Sequence, residues 1–261
     1  MKILLVSANT LKAPYPVYPL GLDHVAASID GRHRVRIADL NSIECDRALP
    51  AAIREFGPHL IGISLRNIDN TDTTDPQGFM GGYRALMGTV RQASPAPVVL
   101  GGSGFTLFPR RVLAELGAEY GIVGEGERLN LLIDALEAGK NLEKVPGVIL
   151  PQSPETDFPP PWPGDRRPRP RQHSNHLPWY LKHGAMLNLQ TKRGCPFRCI
   201  YCTYPLIEGR SLRRVAPEDA ARTAMELEAA GARYLYITDS SFNADVEHSL
   251  AVGRAFKKEG L

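Results

Sequence analysis

The sequence has 261 residues, 43% of them hydrophobic, and Lys and Arg together outnumber Asp and Glu by three. These values are typical of a globular protein with one large or two ordinary domains, and the near-neutral charge gives no indication of nucleic-acid binding. The first apolar run, residues 3–6, is shorter than a signal-peptide core, and no stretch approaches the ~20 apolar residues of a membrane span. We therefore expect a cytoplasmic protein without a membrane span.

The first half of the chain alternates short β-branched runs with longer helical patterns. The predicted strands cover residues 2–7, 35–39, 60–65, 98–101 and 120–123. The predicted helices lie near residues 20–29, 47–56, 78–93, 109–116 and 127–137. Such alternation predicts an α/β domain of the Rossmann-like, flavodoxin-like kind, with a parallel sheet covered by helices on both faces.

The loops that follow four of these strands are small, polar or rich in glycine. They read Ser-Ala-Asn-Thr at residues 7–10, Ser-Leu-Arg-Asn at 64–67, Gly-Gly-Ser-Gly at 101–104 and Gly-Glu-Gly-Glu at 124–127. Ligands of open parallel sheets bind at this edge, and glycines let a ligand approach backbone N–H groups, so the loops predict a site for a large polar cofactor. The alternative is that the glycines only form tight turns. A nicotinamide dinucleotide is disfavoured, because the first loop lacks the G-x-G-x-x-G pattern.

A segment rich in proline and arginine separates this domain from the rest of the chain. We place the first domain at residues 1–150, a linker at 151–184 and the start of a second domain at 185–261. Proline resists regular structure, and the four arginines of residues 166–171 are interpreted as part of a solvated linker. Trp162, Trp179 and Tyr180 are expected to pack the linker against a domain face.

Three of the four cysteines, Cys195, Cys199 and Cys202, lie within eight residues in the spacing C-x3-C-x2-C, after a predicted strand at 186–190. Three thiolates on one loop can bind three irons of a [4Fe–4S] cluster and leave the fourth iron without a protein ligand. A structural zinc site is disfavoured, because it needs four ligands and no histidine lies at a matching spacing. The fourth cysteine, Cys45, is expected to pack as a small apolar residue.

The cysteine spacing, with the aromatic Tyr201 just before the last cysteine, resembles the motif of the radical S-adenosylmethionine (SAM) superfamily. The resemblance implies that SAM chelates the open iron and is cleaved to a 5′-deoxyadenosyl radical. A predicted helix at 217–230 and strand at 234–238 lead to Asp239 and Ser240. By resemblance these two residues and Tyr201 are candidate SAM contacts, and the alternative role of Asp239 and Ser240 is to cap a turn.

Together with the phrases Pro-Leu-Gly-Leu at 19–22, Leu-Gly-Gly at 100–102 and Val-Gly-Glu-Gly-Glu at 123–127, the chain resembles the cobalamin-binding radical SAM family. The resemblance implies a Rossmann-like domain followed by the beginning of a partial (β/α)6 barrel. The candidate cobalamin contacts are Asn9, Thr10, Ser64, Leu65, Arg66, Asn67, Gly101, Gly102, Ser103, Gly124, Glu125 and Gly126. Other corrinoid proteins supply a lower axial histidine from a D-x-H-x-x-G motif after the first strand. This sequence lacks that motif, so we expect cobalamin to bind without a histidine ligand. Arg66 is a candidate to block the lower face of cobalt, because a guanidinium has no lone pair to donate to a metal, and an ordinary salt bridge is its alternative role.

Many members of the family are methyltransferases in which methylcobalamin donates a methyl group to a substrate radical. We therefore predict methyl transfer to an unactivated carbon of a small-molecule, lipid or peptide substrate, with flavodoxin or ferredoxin as electron donor. A cobalamin-dependent rearrangement or redox reaction is the alternative. A non-catalytic corrinoid-binding fragment is a further one, because only two βα units follow the linker, fewer than a (β/α)6 barrel needs. Enzymes that thiolate tRNA are disfavoured, since they carry a second group of three cysteines.

Overall fold

The computed structural model of the protein describes residues 1–42, 48–153, 158–163, 175–184 and 186–261. It divides into two compact units, one formed by Met1–Thr10 with Val25–Pro159 and the other by Leu11–His24 with Pro160–Leu261. Cys45 and the arginines of residues 166–171 lie outside the described residues, so the expectations for them are not addressed. The domain boundaries after residues 150 and 184 stay predictions.

The first unit contains a sheet of six strands with helices between them. The strands are β1 (Lys2–Ser7), β2 (Arg34–Asp39), β3 (Leu60–Ser64), β4 (Val98–Gly101), β5 (Tyr120–Ile122) and β6 (Val148–Ile149). The helices are α1 (Leu20–Ser28), α2 (Ala48–Phe56), α3 (Met80–Ala93), α4 (Ser103–Leu107), α5 (Pro109–Leu116) and α6 (Leu129–Glu137). The residues of α1 up to His24 are grouped with the second unit. The predicted strands and helices of this half are all present, with ends that shift by at most two residues. The short helix α4 is an addition that the sequence pattern did not predict.

The strand order of this sheet is β2-β1-β3-β4-β5-β6, parallel throughout except for the antiparallel pair β5 and β6. This order confirms the Rossmann-like, flavodoxin-like fold. Ser7 at the end of β1 lies opposite both Asp39 and Ser64, and Ser64 lies opposite Gly101. The carboxyl ends of the four strands β2, β1, β3 and β4 therefore finish side by side and bring their loops to one edge.

The core of the first unit forms because its sequence is apolar on both faces of the central strands and on one face of each helix. Residues 3–6 of β1 are fully buried, as expected for a parallel strand that is covered on both sides. In α3 the buried residues Tyr83, Leu86, Met87 and Val90 recur at the three- and four-residue spacing of one helix face. The sheet is thus fixed from both sides, which holds its edge loops in place.

The second unit has the alternation expected at the start of a radical SAM barrel. Its elements are α7 (Leu177–His183), β7 (Met186–Leu189), β8 (Lys192–Arg193), α8 (Tyr204–Glu208), β9 (Arg213–Arg214), α9 (Pro217–Ala229), β10 (Tyr234–Ile237) and α10 (Val246–Glu259). Strand β7 pairs in parallel with β10, and β8 pairs with β9 as a short antiparallel ribbon. None of the helices in the described part of the chain has the length and apolar character needed to cross a membrane.

An aromatic cluster holds the early segment Leu11–His24 within the second unit. Tyr18 is buried with Tyr180 of α7, and their rings meet edge to face with centroids 5.1 Å apart. The hydroxyl of Tyr18 donates a hydrogen bond to the carboxylate of Asp23 at 2.5 Å. The core around this cluster includes Leu187 of β7 and Leu227 of α9, so helix and strand pack on the same aromatic group.

Candidate functional site

The predicted cofactor loops of the first unit are joined to each other by backbone hydrogen bonds. The N–H of Ala8, after β1, donates to the carbonyl of Ser64 at 3.3 Å, and the N–H of Leu65, after β3, donates to the carbonyl of Gly101 at 2.8 Å. The N–H of Gly104 returns to the carbonyl of Leu65 at 2.9 Å. The loops after β1, β3 and β4 therefore form one continuous edge.

Side chains extend this edge to the loop after β5. The hydroxyl of Ser103 donates to the carbonyl of Arg66 at 2.7 Å, and the N–H of Gly124 donates to the hydroxyl of Thr106 in α4 at 3.1 Å. The unpredicted helix α4 thus connects three of the loops, since it follows β4 and contacts both neighbours. All four loops that the sequence selected lie together.

The exposure of the twelve candidate cobalamin contacts divides them into three groups. Leu65 and Glu125 are buried, so only their backbone could face a cofactor, whereas Thr10 and Arg66 are exposed. The others are half-buried at the loop edge: Asn9, Ser64, Asn67, Gly101, Gly102, Ser103, Gly124 and Gly126. The accessible groups are amides, hydroxyls and backbone N–H, which is the chemistry that the amide side chains of a corrin ring require.

One of the loop glycines is required by the packing of the loops themselves. Gly102 has a φ of 97°, and a Cβ at this position would lie 2.6 Å from the carbonyl oxygen of Leu65. An L-residue rarely adopts this φ, and backbone atoms cannot rotate out of the way as a side chain could. Gly102 therefore lets α4 begin against the end of β3.

Tyr83 of α3 holds the loop after β3 by a hydrogen bond, and the sequence analysis did not select this residue. Its hydroxyl donates to the carbonyl of Asn67 at 2.5 Å. Burial raises the pKa of Tyr83 to about 12, against the lowering effects of that hydrogen bond and of the nearby Arg66 charge. The phenol stays protonated, and so stays a donor, across the physiological pH range. Its spacing within the helix identifies it only as a core residue, so no sequence pattern indicates its contact with the loop.

Arg66 sits at the exposed tip of the loop after β3. Among the described residues no carboxylate forms an ion pair with its guanidinium, so the salt-bridge alternative lacks a partner there. Its carbonyl is fixed by Ser103, which holds the backbone of the loop while the side chain extends into solvent. A cationic group with no lone pair is thus presented at the cofactor edge, and its role toward cobalt stays a prediction.

The two ends of the cysteine loop in the second unit, residues 194–195 and 208–211, are held together by hydrogen bonds. We call this junction the neck of the loop. The N–H of Cys195 donates to the carbonyl of Gly209 at 3.0 Å, and the N–H of Gly194 donates to the carboxylate of Glu208 at 3.2 Å. Gly194 has a φ of 89°, and a Cβ there would lie 2.2 Å from the carbonyl oxygen of Ser211. A glycine before the first cysteine is therefore a requirement of the neck.

The three thiols are all free, and they differ in exposure. Cys195 is buried at the neck, Cys202 is half-buried, and Cys199 is exposed at the tip, where its carbonyl accepts a hydrogen bond from the N–H of Cys202 at 3.2 Å. Within the described ranges no three His, Cys, Asp or Glu side chains converge on a point suited to one metal ion. A four-iron cluster does not require its ligands to converge on one point, because each thiolate binds a different iron. Three cysteine sulfurs on one closed loop are the kind of ligand that such a cluster needs.

The candidate SAM contacts lie on both sides of the neck. Tyr201 is 85% exposed near the tip of the cysteine loop. The hydroxyl of Ser240, which follows β10, donates to the carbonyl of Gly194 at 2.8 Å. The side chain of Asp239 is buried, and its carboxylate accepts hydrogen bonds from Thr191 and Lys192. The structure therefore brings the loop after β10 against the start of the cysteine loop, and the contacts of these side chains with SAM stay predictions.

Comparison with known proteins gives a domain family and related enzymes. A model of the B12 binding domain matches residues 6–132. The tryptophan 2-C-methyltransferase of Streptomyces laurentii is 26% identical to the chain over 302 residues, which cover 95% of the chain and 50% of that relative. The chain matches the cobalamin-binding radical SAM family.

Solved structures of one member of this family have the same fold. The radical SAM methyltransferase TsrM of Kitasatospora setae, bound to tryptophan and a SAM analogue, is 27% identical with a TM-score of 0.85, over 99% of this chain and 51% of that one. A second TsrM structure, with cobalamin and a [4Fe–4S] cluster bound, is 24% identical with a TM-score of 0.81 over the same 99% and 51%. The cofactors predicted from the sequence are those that these TsrM structures hold, SAM being represented by its analogue.

The family match has a defined extent. The chain spans about half the length of the relatives described above, 50% of the Streptomyces laurentii enzyme and 51% of the TsrM chain. The B12 binding domain thus matches most of the first unit, and the similarity to TsrM extends over both units of the chain.

Proposed function

We propose that this chain binds cobalamin on the edge loops of its first unit and a [4Fe–4S] cluster on Cys195, Cys199 and Cys202, and that it belongs to an enzyme that methylates an unactivated carbon. The observation that carries the proposal is the closed cysteine loop, with three free thiols, in a chain that also matches the B12 binding domain. When bound, the cluster and SAM supply a 5′-deoxyadenosyl radical and cobalamin supplies the methyl group.

The first unit holds its cofactor through groups that do not ionise. Backbone N–H groups, the amides of Asn9 and Asn67 and the hydroxyls of Thr10 and Ser103 can bind the polar periphery of a corrin ring. Arg66 is the one charged side chain among the candidate contacts that reaches solvent, and it cannot coordinate a metal. We therefore propose that cobalt lacks a protein ligand from this loop, which favours repeated loss and recovery of a methyl group.

The second unit holds its cluster from one side only. The buried Cys195 anchors the cluster at the neck, while Cys202 and the exposed Cys199 reach it from the tip of the loop. Three cysteines would leave one iron without a protein ligand. By resemblance to radical SAM enzymes, that iron would be the position that binds SAM. The loop after β10, with Asp239 and Ser240, is proposed to form the neighbouring wall of the SAM site.

The substrate is proposed to be a small organic molecule, and the electrons are proposed to come from a flavodoxin or ferredoxin. The relatives named above act on tryptophan, as their names state. A rearrangement or redox reaction with the same cofactors is the second candidate. Methyl-labelled SAM separates the two, because only methyl transfer carries the label into product.

The test is an anaerobic turnover assay on the intact protein reconstituted with iron, sulfide and cobalamin. With reductant and labelled SAM, we expect label on bound cobalamin and, with a suitable acceptor, in product, together with 5′-deoxyadenosine. The Cys199→Ala variant is the matched control, since its side chain is exposed and its loss should spare the fold. Methyl transfer without 5′-deoxyadenosine would remove the radical step, and no label on cobalamin in the parent would remove methyl transfer itself.

A further inference from the structure

A buried ion pair joins the two loops that flank the proposed SAM site. The ammonium of Lys192 lies 2.9 Å from the carboxylate of Asp239, and the two side chains are 1% and 0% exposed. Removing two charges from water is costly, and a buried pair often stabilises a fold no better than apolar residues of the same size. A pair in this position therefore calls for an explanation other than stability.

The carboxylate of Asp239 is saturated. Its Oδ1 accepts from the N–H of Thr191 at 2.7 Å and from the N–H of Lys192 at 3.2 Å. Its Oδ2 accepts from the hydroxyl of Thr191 at 2.5 Å and from the ammonium of Lys192 at 2.9 Å. A carboxylate has about four acceptor positions, and all of them are used within the protein. Asp239 has none left for the amino group of SAM unless one of these donors is displaced.

The pair acts at the first residues of the cysteine loop. Lys192 comes three positions before Cys195, and its ammonium also donates to the carbonyl of Phe242 at 2.6 Å. The hydroxyl of Ser240 adds a bond to the carbonyl of Gly194 at 2.8 Å. The segment 239–242 is thereby tied to the chain immediately before the first cysteine at three separate points.

A second element packs on the same junction. The side-chain nitrogen Nε2 of His248, in α10, lies 3.3 Å from the carbonyl of Thr191, and both residues are buried. The end of β7, the start of β8, the segment after β10 and α10 therefore meet around this ion pair. Movement of Lys192 or Asp239 would be transmitted to the neck of the cysteine loop.

We infer that Lys192 and Asp239 form a positioning pair that fixes the cysteine loop against segment 239–242 and so sets how SAM meets the open iron. The inference rests on the proposed function, and it gives Asp239 a different role from the direct SAM contact expected by resemblance. Asp239 acts through the backbone of Thr191 and Lys192. Ser240 acts through the carbonyl of Gly194.

Two single variants separate the two roles of Asp239. If Asp239 contacts SAM directly, Lys192→Met leaves that carboxylate in place and keeps SAM binding, whereas Asp239→Asn loses it. If the two residues position the loop, both variants lose SAM binding to the same degree. Because each leaves one buried partner unpaired, the double variant Lys192→Met/Asp239→Asn, which removes both charges at similar volume, is measured beside them.

The readout is the electron paramagnetic resonance spectrum of the reduced cluster during a titration with SAM, in the intact reconstituted protein. We expect parent-like cobalamin binding, a complete cluster, and a SAM concentration for half-maximal spectral change that is about tenfold higher in the double variant, equivalent to ~1.4 kcal/mol. Ser240→Ala, which removes one hydrogen bond and no charge, should give a smaller shift in the same direction. Arg222→Met, in an exposed pair on α9, is the control that should change nothing.

The outcomes separate this inference from the proposed function. If the parent takes up no iron and sulfide, the proposed function fails first. If the parent responds to SAM and the double variant and Ser240→Ala respond at the parent's concentration, the positioning role is refuted. Loss of SAM response in Asp239→Asn but not in Lys192→Met would also refute it, in favour of direct contact. If the double variant assembles no cluster, Ser240→Ala decides alone.

Discussion

Gly194 provides the sharpest test of how the cysteine loop is built. Its φ of 89° is a conformation in which an alanine costs about 1–2 kcal/mol. A Cβ at this position would also lie 2.2 Å from the carbonyl oxygen of Ser211 and 3.3 Å from that of Gly209. The first contact requires backbone to move by about 1 Å, and overpacking of this kind costs about 1–3 kcal/mol. We expect Gly194→Ala to destabilise the second unit by about 2–5 kcal/mol in sum.

The consequence for the cluster follows from the neck. The N–H of Gly194 reaches Glu208 and the N–H of Cys195 reaches the carbonyl of Gly209, so backbone displacement at Gly194 opens both bonds. Cys195 then moves away from the other two thiols. We expect Gly194→Ala to bind less than half of the parent's iron and sulfide after anaerobic reconstitution, while cobalamin binding by the first unit stays at the parent's level.

Two other glycines of the same unit supply matched controls. Gly260 has a φ of 84° with open space around its Cβ position, so Gly260→Ala carries the conformational strain without the clash. Gly253 lies inside α10 with open space and no positive φ, so Gly253→Ala should stabilise the helix by up to about 1 kcal/mol. Iron uptake and thermal unfolding of the three variants are measured together. Full iron uptake by Gly194→Ala would refute the account of the neck.

Three further predictions concern the first unit and α10. Arg66→Ala should retain cobalamin but change its absorption spectrum, because the group proposed to face cobalt is lost; an unchanged spectrum would count against that role. Tyr83→Phe leaves the carbonyl of Asn67 without its donor and should cost about 1–3 kcal/mol of stability with weaker cobalamin binding, measured by denaturant unfolding and by titration. The hydrogen bond from the N–H of His248 lowers the pKa of Asp245, so this carboxylate contributes stability above its unfolded pKa and loses it as pH falls through the lower folded pKa. Thermal unfolding of the parent and Asp245→Asn should therefore differ at neutral pH and converge in acid, and a constant difference would contradict the assignment.

The sequence was sufficient for the elements whose patterns are long and local. Strand β1 is a continuous apolar run and α5 begins with Pro109 and ends before Gly117, so both were predicted with their observed bounds. Helix α4, of five residues, was missed because one turn and a half contains no periodicity to recognise. The cysteine loop was found because its ligand spacing is written in consecutive residues.

What the sequence could not supply are the contacts between distant residues. Asp239 was selected as a SAM contact from its place after a strand, but its partners Thr191 and Lys192 lie more than forty positions earlier in the chain. The hydrogen bond from the hydroxyl of Tyr83 to the carbonyl of Asn67 likewise joins residues that are sixteen positions apart in the chain. The grouping of Leu11–His24 with the second unit also depends on a remote partner, Tyr180. No local pattern encodes such pairs.

The most direct measurement is the iron, sulfide and cobalamin content per chain of the anaerobically prepared parent protein and of Cys199→Ala. We predict about four irons and four sulfides with one cobalamin in the parent. In Cys199→Ala we predict loss of most iron and sulfide with cobalamin unchanged. A parent that binds a single zinc ion and no sulfide, or a variant that keeps its full cluster, would contradict the central claim.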